Sequence, residues 1–407
     1  MKMLIQPKSI TFLILTLLCI TSYLCAECSG QSPRILWQRE YGCSDGLSCS
    51  IGTATFSKTE DKLLIMGTSF RPKTYTDGKI CLWEFEQNGD RVKSVVLKEV
   101  SDDHRSPITL ACAMIKDMAI SKYGEILSVG KWNNGSESFN KTSRIGQEVF
   151  TMPVHKNGDK KEDVQILKMI NLIDNSVLLI CSIQPGNGLV IKVDPNGDKL
   201  WERTYDLGDR GVIFTDAALL EEDGDFVLLG FTGNVEEISG VLLFDLVLFR
   251  CDTQGKVLTQ ELFPGGISRM SEPQICRLDS GSLVVTYDKN VELKVMDQRI
   301  RAFSPDLKLF WEKQVIQKET RRPIGFKIGS VGGGSFVVAY DVLGDLFLYH
   351  YDKDGNRVSH TCLDKFVFAG KFDLVTTEDK AFVISQTRPD KEIGVSKVKV
   401  AAIEFAP

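Results

Sequence analysis

One phrase recurs along this chain and restricts what it can fold into. It reads Leu36-Trp37-Gln38-Arg39-Glu40-Tyr41, then Leu200-Trp201-Glu202-Arg203-Thr204-Tyr205, then Phe310-Trp311-Glu312-Lys313-Gln314-Val315. The second and third copies follow polar tight turns, Asp194-Pro195-Asn196-Gly197-Asp198 and Ser304-Pro305-Asp306. The first copy has no preceding strand to pair with, and the last apolar segment, Val398–Phe405, has none following it. A ring of repeats in which the two chain ends pair supplies both missing partners.

Two kinds of hairpin alternate between these ends. The first has a polar turn and then a short apolar run, as in Asp61-Lys62-Leu63-Leu64-Ile65-Met66 and Gly224-Asp225-Phe226-Val227-Leu228-Leu229. Unbroken apolarity in so short a run predicts strands buried on both faces. The second hairpin carries the turns Gln87-Asn88-Gly89-Asp90, Lys156-Asn157-Gly158-Asp159, Pro195-Asn196-Gly197-Asp198, Thr253-Gln254-Gly255-Lys256, Pro305-Asp306-Leu307-Lys308 and Lys353-Asp354-Gly355-Asn356. Asn-Gly suits a two-residue connection in which both central residues take positive φ. Seven first hairpins against six second ones leave one blade to be completed by Val398–Phe405 with Leu36–Tyr41. The expectation is an all-β propeller of seven four-stranded blades, one domain over residues 35–407. Rings of six or eight blades stay open, because the third repeat is short.

The 407 residues carry a net charge of −5, which gives no support to a nucleic-acid-binding surface. Residues 1–26 read as a secretory signal peptide: Lys2 and Lys8, an apolar run Ile10–Ile20, then Ala26 as a cleavage point. The run is short of the roughly 20 residues that span a bilayer, so no transmembrane segment is expected in the mature chain. The expected location is secreted or periplasmic, with lipid anchoring to the cell envelope through Cys25 or Cys28 as the alternative. In an oxidising compartment Cys43 and Cys49 are the candidate disulfide, while Cys112, Cys181, Cys251 and Cys276 sit in apolar strand patterns. No Cys-x-x-Cys pair and no metal spacing of His104, His155, His350 and His360 is present, so no metal site is expected.

Leu36-Trp37-Gln38-Arg39-Glu40-Tyr41-Gly42 carries a W-x-[KR]-x-Y-G phrase in full. In this the chain resembles the large group of secreted bacterial propellers built on such repeats, in the style of the quinoprotein-like propellers. The resemblance covers nearly all of the mature chain and implies a fold and a compartment. Quinoprotein docking motifs place Thr-Gly before the Trp; Asn196-Gly197 stands there in this chain, so quinone chemistry is not implied and no cofactor is expected.

Candidate ligand-binding residues fall on the face that carries the blade-to-blade loops. Arg105, Arg210, Arg269 and Arg322 each precede an inner strand, and at equivalent angles around a channel they would bind carboxylate, sulfate or phosphate. The plain alternative is that they are ordinary loop arginines paired with neighbours such as Asp209. The stretch Lys131–Lys141 reads as the longest insertion, with Trp132 and Phe139 available to stack on a sugar or a partner protein, or to cover a blade edge. Asp216 in an inner strand, with Asp288 and Asp341 at matching ends of second strands, could hold a cation or act as acid and base; repeat equivalence alone also produces such a pattern. No nucleophile motif accompanies them and no catalytic residue is assigned. The reading is a binding or scaffold propeller for an anionic glycan or a protein partner. The alternative is a carbohydrate-active hydrolase or lyase that uses channel-face carboxylates.

Overall fold

In the computed structural model the described residues are 33–43, 47–71, 78–99, 115–133, 136–154, 164–183, 186–208, 210–220, 224–238, 241–268, 272–292, 295–315, 325–363, 365–366, 371–389 and 395–405. They form 28 strands in seven blades of a β-propeller. After β1 (Arg34–Tyr41), blade 1 holds β2 (Ser48–Ser57), β3 (Lys62–Phe70), β4 (Lys79–Glu86) and β5 (Arg91–Glu99). Blade 2 holds β6 (Ile115–Ile120), β7 (Ile126–Asn133), β8 (Ser136–Thr142) and β9 (Glu148–Pro153). Blade 3 holds β10 (Val164–Asn171), β11 (Val177–Ile183), β12 (Asn187–Val193) and β13 (Lys199–Tyr205). Blade 4 holds β14 (Val212–Leu219), β15 (Phe226–Ile238), β16 (Val241–Cys251) and β17 (Val257–Ser268). Blade 5 holds β18 (Gln274–Arg277), β19 (Leu283–Glu292), β20 (Val295–Phe303) and β21 (Leu309–Gln314). Blade 6 holds β22 (Gly325–Val331), β23 (Ser335–Val342), β24 (Asp345–Tyr351) and β25 (Arg357–Leu363). Blade 7 holds β26 (Phe372–Thr376), β27 (Lys380–Gln386) and β28 (Val398–Glu404), and β1 completes it by pairing antiparallel with β28 from Arg34↔Glu404 to Tyr41↔Val398. The expected closure through the two chain ends is therefore present.

The second and third strands bear the core. Every residue of β11 is buried, as unbroken apolarity predicts for a sheet covered on both faces. Within each blade the first and second hairpins turn at one end of the ring, the turn face. Blade-to-blade connections lie at the other end, the loop face.

The second hairpins depart from the expected two-residue turn. At Glu86–Asp90 the Gly89 N–H donates to Glu86 O at 2.9 Å, Glu86 N–H donates to Asp90 O at 3.0 Å, and only the glycine has positive φ (86°). A type I turn followed by a left-handed residue adds one residue to the loop, and the strands absorb it as a register shift at Glu84/Phe85. In blade 2 the turn is Ser143–Gln147, with Gly146 at φ 86°. The expected Lys156–Asp159 turn is corrected by this: those residues lie outside the described ones, between β9 and β10. Asn-Gly marks a turn without saying which connection it serves.

Where it occurs, on β1, β13 and β21, the recurring phrase latches the outer strand onto the next blade. A Cβ added to Gly89 would meet the Trp37 ring at 2.9 Å, one at Gly255 the Trp201 ring at 2.8 Å, and one at Gly355 the Trp311 ring at 2.6 Å. Each indole therefore lies flush on the turn glycine of the following blade. The basic residue two places on bonds the same turn: Arg203 Nε donates to Gln254 O at 2.5 Å and Lys313 Nζ to Asp354 O at 2.6 Å. Tyr205 closes the contact by donating its hydroxyl to Gly255 O at 2.7 Å. Phe150 plays the Trp part against Gly197. Trp37, Trp201 and Trp311 thus pack between blades.

Candidate functional site

The channel is lined by the first strand of each blade, whose inner edge has no strand beside it. Unpaired edge N–H groups need partners. Cross-strand register identifies one equivalent position in all seven blades: Thr53↔Met66, Asp117↔Val129, Lys168↔Ile180, Asp216↔Leu229, Gln274↔Thr286, Lys327↔Ala339 and Asp373↔Ile384. At one level of the channel this sets a polar ring of three Asp, two Lys, a Thr and a Gln.

The three carboxylates do the same job. Asp117 accepts from Met118 N at 2.9 Å in its own strand and from Met169 N at 2.8 Å in blade 3. Asp216 accepts from Ala217 N at 2.9 Å and from Ile275 N at 3.0 Å in blade 5. Asp373 accepts from Leu374 N at 3.0 Å, from Ala54 N at 2.8 Å in blade 1 and from Thr53 Oγ1 at 3.3 Å. Each thus satisfies two edge N–H groups and bolts its blade to the next. Lysines neutralise them: Lys168 Nζ lies 3.5 Å from Asp216 Oδ1, and Lys327 Nζ 3.9 Å from Asp373 Oδ1. Asp216 first, then Asp117, hold the Lys168 ammonium above its ordinary value. Burial pushes the Asp117 carboxyl above its ordinary range, and Lys168 and the two N–H groups pull it back.

Of the expected carboxylates, Asp216 belongs to this ring. Asp288 and Asp341 are buried two residue pairs further toward the loop face on second strands, opposite Gln298 and Leu346. Asp341 Oδ1 accepts from Gly344 N at 2.7 Å, so it caps its own β23–β24 hairpin. Burial raises its carboxyl and that N–H opposes the rise. The ring partners of Asp216 are instead Asp117, Lys168, Lys327 and Asp373. Sequence reading missed them: a bulge just before Asp117 and Lys168 breaks the alternating pattern of β6 and β10, while Lys327 and Asp373 stand in unbulged strands and join the ring only through cross-strand register. Counting back from the first turn would have aligned them.

Arg210 is partly exposed, and its carbonyl accepts from Leu207 N at 3.0 Å. Arg105, Arg269 and Arg322 lie outside the described residues. Trp132 is a residue of β7, not of an insertion: Lys131–Lys141 is the β7–β8 hairpin. Phe139 is buried in the blade 2–3 core, its ring 5.4 Å from Phe150, so it is no stacking platform. The strand alternation that turns Phe139 inward is invisible when the segment is read as a loop. Cys43 and Cys49 form a disulfide with Cα atoms 6.0 Å apart.

The loop face is asymmetric. The β15–β16 pairing continues to Ile238↔Val241, whereas β11–β12 ends at Ile183↔Asn187. At about 3.3 Å per residue along β16, this hairpin stands about 13 Å higher. β19–β20 also runs long, to Glu292↔Val295, and β17 joins β19 through Ile267↔Lys289. Blades 4 and 5 thereby merge into one raised wall beside the channel mouth.

No protein-family model matches the chain, and no curated protein does. Among solved structures, an ulvan lyase of polysaccharide lyase family PL25 superposes with a TM-score of 0.56 at 11% identity, over 89% of this chain and 95% of the lyase. The polysaccharide lyase Uly1 gives 0.55 at 8% identity, over 90% and 99%. Extracellular domains 1–2 of Drosophila semaphorin 1b give 0.51 at 9% identity, over 92% and 88%. At these identities the likeness is one of fold: the chain is a seven-bladed propeller. Among the described residues no helix is long and apolar enough to cross a membrane.

Proposed function

We propose that this is a secreted or periplasmic binding propeller that takes an anionic glycan on its loop face, against the raised wall of blades 4 and 5. One observation carries the reading. The channel carboxylates are already committed, each to two main-chain N–H groups, and Asp216 and Asp373 to a lysine as well. A carboxylate spent in this way holds blades together and is poorly placed to exchange protons with a substrate. Chemistry toward a ligand then falls to the loop face, where the wall makes one side of the mouth unlike the rest. Arg210 and the other loop arginines, Arg105, Arg269 and Arg322, would supply bidentate donors for carboxylate or sulfate. Both lyases above act on polysaccharide by name, and one was solved with a glucuronate-containing sulfated ligand. They favour a glycan over a protein ligand and keep a lyase activity as the second reading.

The test is a glycan array of uronic-acid and sulfated oligosaccharides, repeated at two salt concentrations. Binding that weakens as salt rises, and that drops in the Arg210→Ala variant, supports the reading. Binding to no polyanion ends it. An unsaturated uronate end appearing in the ultraviolet during incubation would establish the lyase reading instead.

A further inference from the structure

The hairpin tips on the turn face are polar almost everywhere, as turn chemistry requires: Thr59-Glu60, Gln87-Asn88, Pro195-Asn196, Thr253-Gln254, Pro305-Asp306, Lys353-Asp354 and Glu378-Asp379. Blades 2 and 3 break the rule three times. Tyr123 in the β6–β7 turn is 71% exposed, Ile145 in the β8–β9 turn 68%, and Ile173 in the β10–β11 turn 58%. These turns touch. Arg144 Nε donates to Gly124 O at 2.8 Å, and Lys122 N donates to Asn175 Oδ1 at 3.3 Å. The three exposed apolar side chains therefore stand on adjoining turns.

The charges beneath these turns are balanced. Arg144 is held by Glu60 at 2.8 Å and Glu84 at 3.4 Å, and Asp174 by Lys192 at 3.4 Å. The Lys122 ammonium lies 5.1 Å from the centre of the Tyr123 ring. The arrangement of an aromatic and two aliphatic tips over a neutral base, with a lysine beside the ring, suits the boundary of a bilayer. Both chain ends lie on this same face. Arg34 opens β1 opposite Glu404, and Phe405 N donates to Asp379 O in the first turn of blade 7 at 3.1 Å. Whatever precedes Pro33 thus leaves the ring from the turn face. In the lipid-anchored alternative Cys28 would be five residues from Pro33, a reach of under about 20 Å at roughly 3.5 Å per residue.

We propose that the turn face of blades 2 and 3 seats on a lipid surface, with Tyr123, Ile145 and Ile173 entering the interfacial layer. This is independent of the glycan reading, which concerns the opposite face. Three tips alone give weak, reversible attachment and act as the second of two signals beside an N-terminal anchor. The loop face then points away from the membrane, free to meet a polymer.

The experiment uses the full chain carrying Tyr123→Trp, mixed with vesicles of phosphatidylcholine alone or with added phosphatidylglycerol. The expected result is a blue shift of the introduced indole and its quenching by brominated phosphatidylcholine, similar with both lipids. Adding Ile145→Ser and Ile173→Ser should lower the partitioning at least about tenfold, with an unchanged near-ultraviolet circular dichroism spectrum. An unshifted, unquenched indole overturns the proposal, even if the protein sediments with vesicles through its N-terminal stretch. A response confined to phosphatidylglycerol vesicles overturns it in favour of charge attraction. Self-association that the two serines abolish, without any lipid response, assigns these residues to a second copy and overturns it too.

Discussion

Substituting Gly255 tests the inter-blade latch, and Gly208 provides the control. Both glycines have nearly the same left-handed backbone, φ 73° and 74°, but a Cβ at Gly208 meets nothing within 4 Å, whereas one at Gly255 meets Trp201 at 2.8 Å and Arg203 Cδ at 2.9 Å. Alanine at either site costs about 1–2 kcal/mol for the backbone alone. At Gly255 the indole must also lift off the turn. Strained packing of that kind costs about 1–3 kcal/mol. The expected loss is thus roughly 2–5 kcal/mol for Gly255→Ala against 1–2 kcal/mol for Gly208→Ala. Urea unfolding followed by circular dichroism reads both. A double-mutant cycle sharpens the test: in a Trp201→Ala background the indole clash is gone and only the flexible Arg203 side chain has to give way, so Gly255→Ala should cost little more than the backbone part. Equal losses at the two glycines, or an additive cycle, would refute the latch.

Asp216→Asn replaces an acceptor of the Ile275 N–H and uncouples Lys168. It should cost about 1–3 kcal/mol of stability in denaturant melts. Removing the Cys43–Cys49 disulfide, which spans six residues, should cost about 2 kcal/mol, read as the melting difference between the wild type and the double serine variant. His350 is buried against Phe405, and burial holds its imidazole below the ordinary value of 6.5. The unfolded chain therefore takes up that proton first as pH falls. Stability should drop as pH passes below about 6.5 and level off under the folded-state value, and His350→Gln should flatten that part of the profile in melts across pH 5 to 7.

Much of the ring was legible because its two ends are incomplete in a complementary way. Leu36–Tyr41 and Val398–Phe405 each lack a partner, and counting hairpins pairs them. The Trp-bearing phrase marked outer strands correctly, although its purpose shows only against the turn glycine of the next blade, some fifty residues on (Trp201 with Gly255). The channel ring was not legible beyond Asp216. Its members share a level only through register, and a bulge residue such as Lys116 or Thr215 precedes the position in four of the inner strands. The β7–β8 hairpin was read as an insertion because Trp132, Asn133, Asn134 and Gly135 look like loop chemistry, yet Phe139 and Asn140 are core. The raised wall of blades 4 and 5 is a matter of strand length. Apolar runs such as Val241–Phe244 signal strand without saying how far it stands above its neighbours.

Ligand binding at the loop face and channel carboxylates that only fasten blades can be tested in one measurement. Titration calorimetry with uronic-acid and sulfated oligosaccharides, run on the wild type and Asp216→Asn with the recovered sugar checked for cleavage, tests both parts together. The expected result is binding that weakens with salt, equal affinity in the two proteins, and an intact oligosaccharide. No heat with any polyanion, or a cleaved product that disappears in Asp216→Asn, would contradict it.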